Sequence, residues 1–137
     1  MPRPAAADNG SGPTGGRRFE TSAADHAEAA IARNVIAVRV VQWGCGSAVD
    51  NVALVVSELV ANAIMHAGRA ALIVVSCSDD DRHILIEVHD RAAALPRIRE
   101  GRDGPGGLGL RIVDELSEQW GASATGTGKS VWAIVPT

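Results

Sequence analysis

One stretch, Ser57–Gly68 (SELVANAIMHAG), constrains the chain more than any other. It reads as a helix, and within an otherwise apolar run it sets Glu58 and Asn62 four residues apart on one face. His66 continues that stripe one turn further on. Asn is a mediocre helix former, and its amide is costly to bury without a partner. A fold that packs this helix against a core must supply partners for Glu58 and Asn62, or use them to hold a ligand.

The chain has 137 residues, enough for one domain with a real core. Three Trp, one Phe and no Tyr leave the core volume to Ala, Val, Ile and Leu. A net charge of −3 gives no electrostatic reason to expect nucleic acid or an anionic membrane. Cys45 and Cys77 have neither metal-motif spacing nor the pattern of a disulfide framework, and read as two free thiols. No apolar run approaches the roughly 20 residues of a membrane span, and the start lacks the apolar core of a signal peptide. A cytoplasmic protein is expected.

Met1–Gly16 is rich in Pro, Gly, Ala and Ser and reads as a flexible tail, leaving 17–137 as the domain. Arg17–Thr21 is expected as a short edge strand anchored by Phe19. Ser22 would cap a helix from about Ala23 to Gln42 that buries Ala24, Ala27, Ile31, Val35 and Val38. Trp43–Gly46 ends it, and a second helix runs from Ser47 or Asp50 to Ala67. Ala70–Ser78 and His83–Asp90 are strands around an Asp79–Asp81 turn, whose three acids diverge too much for a metal site. In the second strand Ile84, Ile86 and Val88 face the helices, while His83, Leu85, Glu87 and His89 form a largely wet face. Parity then sends Asp90 to the helix side. Arg91–Gly107 is a long connection without apolar period. Leu108–Gln119 returns to helix, and Trp120–Ala124 with Ser130–Val135 closes the chain as a hairpin. The order predicts an α+β, two-layer α/β sandwich, a mostly antiparallel mixed sheet with helices on one face.

Two glycine patterns mislead. Gly104–Gly109 spells GxGxxG but follows a polar connection, not a buried strand, so it is no dinucleotide fingerprint. A glycine-rich entry into a helix still suits phosphate, as it also suits a simple hinge. Gly126–Ser130 imitates the end of a P-loop, but Ser123 stands where the leading glycine is needed and a strand follows.

What remains is a combination: Glu58 and Asn62 on a helix, Asp90 ending an inward strand face, a long connection, then a glycine-rich helix start. An amide oxygen suits Mg²⁺ alongside phosphate oxygens and water. A carboxylate can accept from an adenine amine. Over about Arg17–Val135 the chain resembles the GHKL ATPase superfamily, and within it the small anti-sigma-factor serine/threonine kinases of actinobacterial type. Ser57–Ala67 resembles the N box, His89-Asp90 with Pro96 the adenine box, and Gly106-Gly107-Leu108-Gly109-Leu110 the second glycine box. Trp43-Gly44, Trp120-Gly121 and Gly128-Lys129-Ser130-Val131-Trp132 resemble further elements of the small members.

The resemblance implies ATP and Mg²⁺ as ligands. Asn62 would coordinate the metal, Glu58 would be the general base, and Asp90 would take the adenine amine. Gly106, Gly107, Leu108, Gly109 and Leu110 would line the triphosphate beneath a lid, Arg91–Pro105. Ser130 would stand near adenine, and His66 near a phosphate or simply at the helix end. Ala92 stands where the family pattern has glycine. The implied activity is transfer of the γ-phosphoryl to a small antagonist protein, with a sigma factor as the other partner and a homodimer allowed. The alternative is a non-catalytic partner-binding module of the same fold, with nucleotide structural or absent.

Overall fold

The computed structural model describes residues 17–67, 71–90, 107–126 and 128–137. The expected tail, the lid and Gly106 lie outside them. The elements are β1 (Arg18–Ala23), α1 (His26–Gln42), a short 3₁₀ turn (Gly46–Ala48), α2 (Val49–Ala67), β2 (Ala71–Cys77), β3 (His83–Asp90), α3 (Gly107–Leu116), β4 (Gln119–Ala124) and β5 (Lys129–Pro136). The strands form one sheet in the order β1-β2-β3-β5-β4, with all four ladders antiparallel. The helices pack on one face, so the α+β two-layer sandwich is the observed fold.

Local chemistry sets the joints. Asp25, not Ser22, caps α1: its Oδ1 accepts from the Glu28 backbone N–H at 2.8 Å, and Glu28 Oε1 accepts in return from Ala24 N–H at 2.8 Å. This reciprocal pair satisfies two donors at the helix start, while Ser22 stays within β1. Gly44 ends the α1 turn at φ +83°, a conformation that disfavours a side chain.

The buried face of α1 differs from the expected one. Ala32, Ile36 and Val40 enter the core, whereas Ile31 is 63% exposed and Val35 and Val38 also face outward. The helix carries two apolar stripes, and the slimmer one, with Ala29 and Ala32, packs towards α2. On α2, Val52, Val56, Leu59, Val60 and Ala63 are buried, and Val49 is partly buried against the same core. Gly46–Met65 is also long and apolar enough to cross a membrane by length and composition, unlike the expectation. Its buried side belongs to this core.

On the sheet, Ile84, Ile86 and Val88 face the helices with Val131, Ala133 and Val135 of β5, as alternation requires. The other face is drier than expected. Leu85 and Glu87 are buried there, in line with a second cluster in which Trp132 packs with Leu85 and Ile134. The indole lies across Gly121, directly opposite on β4. Glu87 Oε1 pairs with His89 Nε2 at 3.2 Å on that same face.

Candidate functional site

Register brings the candidate groups to one end of the sheet. Leu72 pairs with His89, so the start of β2 lies beside the end of β3. Only residues 68–70 separate α2 from β2, which delivers the last turns of α2 to the Asp90 end. Lys129, the first residue of β5, pairs directly with Asp90. α3 begins in the chain after that end and finishes at the opposite one, where the Trp120 indole donates to Asp114 Oδ1 at 2.8 Å.

Asn62 is 8% exposed on α2, and its Nδ2 is buried without a hydrogen-bond partner among the described residues. An unmade bond on a buried amide costs about 1–3 kcal/mol, so a ligand that brings an acceptor is favoured there. Glu58, one turn earlier, is half-buried. The pair therefore presents an amide and a carboxylate from one helix face, as expected from their spacing. His66 lies in the last turn of α2, but its side chain is outside the described residues, as are those of Leu108 and the first turn of α3 up to Gly109. Leu110 is described and buried, which makes it a wall residue of the helix layer.

Asp90 reaches the helix-covered side, as parity predicts, and is 5% exposed. Its Oδ1 accepts from Lys129 Nζ at 3.1 Å, and the two side chains are 1% and 3% exposed. A buried carboxylate needs such a partner. Sequence reasoning passed over Lys129, although the signal was present: it shares odd parity with Val131, Ala133 and Val135. Ser130 has the opposite parity. It pairs with His89, so its side chain falls on the outer face with Trp132 rather than beside Asp90. There Ser130 Oγ is buried and has no partner among the described residues. The structure thus puts Asp90 and Lys129 on the sheet face against which α2, carrying Glu58 and Asn62, packs, and sets Ser130 on the other face.

This arrangement offers a buried amide donor without a partner among the described residues and a half-buried carboxylate on α2, and a buried ion pair at one end of the sheet that α2 covers. The orphaned amide suits a polar ligand carrying several acceptor oxygens, which a phosphate chain with its cation provides. Residues 21–135 match the family described as Histidine kinase-like ATPase domain. No curated protein matches the chain.

Proposed function

This chain belongs to the histidine kinase-like ATPase domain family, and on that premise we propose that it is a serine/threonine protein kinase of the anti-sigma-factor type. It takes Mg-ATP at the end of the sheet where α2, β3 and β5 meet. Asn62 holds Mg²⁺ through its amide oxygen, which leaves Nδ2 to meet a phosphate oxygen. Glu58 receives the proton of the acceptor hydroxyl. Asp90, steadied by Lys129, faces the adenine amine, and the glycine-rich stretch of sequence Gly106–Leu110 supplies backbone donors to the phosphates. Transfer of this kind asks mainly for positioning and charge neutralisation, with one base. The reading rests above all on the buried Asn62 Nδ2, which has no partner among the described residues, one turn from Glu58.

The acceptor is a Ser or Thr of a small antagonist protein, and a sigma factor is the competing partner. The exposed apolar stripe of α1, with Ile31 63%, Val38 56% and Val41 55% exposed, supports a protein-binding surface, for such a partner or for a second copy. A cytoplasmic setting follows from this role.

A second reading has its own support. The Asp90 carboxylate already accepts from Lys129, and Ala92 replaces the glycine of the family pattern. Both favour a partner-binding module in which nucleotide is structural or absent. Labelled ATP mixed with this protein and a candidate antagonist separates the two. Label on the antagonist, lost with Glu58→Ala, supports the kinase. Thermal stability unchanged by millimolar Mg-ATP supports the module.

A further inference from the structure

Away from that site, the fold joins three donors that are distant in sequence. Cys45 closes the α1–α2 connection, Cys77 ends β2, and Asp81 sits in the β2–β3 turn. Cys45 Sγ and Cys77 Sγ are 3.3 Å apart, and Cys77 Sγ is 3.8 Å from Asp81 Oδ1. All three ligand atoms lie within 4.8 Å of one another. Both cysteines are free thiols, as expected, but their contact is not visible in their spacing.

We propose that Cys45, Cys77 and Asp81 form a binding site for a soft divalent cation, zinc by its ligand chemistry. Two sulfurs and one carboxylate oxygen suit zinc, and Zn–S bonds of about 2.3 Å place tetrahedral sulfurs about 3.8 Å apart. The pair therefore has to open by only about half an ångström. Mg²⁺, which prefers six oxygens, is excluded by the same donors.

The surroundings also order the donors. Arg17 pairs with the Asp81 carboxylate and donates to the carbonyls of Trp43 and Ser78, 3.1 Å each. It thus ties together the segments that carry the three donors, the arrangement by which an outer partner orients a ligating carboxylate. Two thiolates, one carboxylate, one guanidinium and Zn²⁺ sum to zero charge. Asp81 holds φ +61°, the one positive value among the described non-glycine residues, and that conformation keeps it in the turn beneath Cys77. Asp81 is the exposed member and Cys45 the buried one, so a cation enters past the carboxylate. Thiolate, not thiol, is the zinc ligand, so the metal must displace thiol protons as it binds. Two thiols lose two protons to solvent, two Zn–S bonds form, and no electron is transferred. This site is independent of the nucleotide reading.

The test uses the untagged full chain, reduced and metal-free, titrated with zinc chloride, with magnesium chloride as control. Native mass spectrometry is expected to show one zinc per chain, and both thiols should become protected from a thiol reagent. Asp81→Asn keeps the left-handed turn, which Asn tolerates, and should bind zinc at least about tenfold more weakly. Arg17→Gln should weaken binding by roughly 10–100-fold. Cys77→Ser should abolish thiol protection at Cys45. No zinc uptake by folded protein overturns the proposal, as does uptake that neither Asp81→Asn nor Cys77→Ser changes. So does conversion of the pair to a disulfide, two hydrogens lighter, in place of metal binding.

Discussion

Lys129 Nζ stands 3.1 Å from Asp90 Oδ1, with both side chains almost wholly withdrawn from solvent. Such a pair adds little net stability against an apolar replacement, but removing one partner leaves the other charged and buried. Lys129→Met is therefore expected to lower the unfolding free energy by about 3–5 kcal/mol in urea titration. The double variant Asp90→Leu with Lys129→Met should recover most of that loss. A double variant no more stable than the single would show that shape, not charge, sets the penalty.

Asn62→Ala separates ligand binding from folding. Its Nδ2 has no partner among the described residues to lose, so the variant without ligand should stay within about 1 kcal/mol of the parent. A ligand at one hundred times its Kd stabilises the native state by about 2.7 kcal/mol. Mg-ATP should give the parent and Glu58→Ala a shift of this kind, and Asn62→Ala none. Differential scanning fluorimetry with and without Mg-ATP reads all three. A full shift in Asn62→Ala would remove Asn62 from the site.

The two stripes of α1 give a direct test of which side faces the core. Ile36 is fully buried and Ile31 is 63% exposed. Ile36→Ala should cost about 2–5 kcal/mol, and Ile31→Ser should stay within about 0.5 kcal/mol. Equal penalties would mean that the exposed stripe is covered in solution, which analytical ultracentrifugation of the same two variants would reveal as a change of mass.

These contrasts also mark where the chain was legible. β3 alternates strictly, so the inward turn of Asp90 followed from period two alone. α2 has one apolar face interrupted by Glu58 and Asn62, and that single face is the one it buries. α1 has apolar residues on both sides, so periodicity could not choose between them, and packing against α2 decided. Lys129 was legible by parity, since it shares the inward positions of Val131, Ala133 and Val135. The outer face misled because Leu85 and Glu87 alternate like surface residues, while Trp132, far away in sequence, lies across that side of the sheet. The meeting of Cys45 with Cys77 depends on the placement of β2 against the α1–α2 connection, which no local pattern encodes.

Gly121 shows how tightly the outer face is closed. A Cβ built there would lie 2.9 Å from Trp132 Cζ2, closer than real contacts come, and 3.2 Å from Cε2, tighter than most. The ring cannot retreat cheaply, because it is fully buried and packs with Leu85 and Ile134. Gly121→Ala should therefore destabilise by about 1–3 kcal/mol through overpacking, despite the better strand propensity of Ala. Adding Trp132→Leu removes the ring that the methyl strikes. The double variant should then be more stable than the sum of its two single losses predicts, by about 0.5–3 kcal/mol. Strictly additive losses in this cycle would show that the indole is not seated on Gly121, and the packing of the outer face would have to be redrawn.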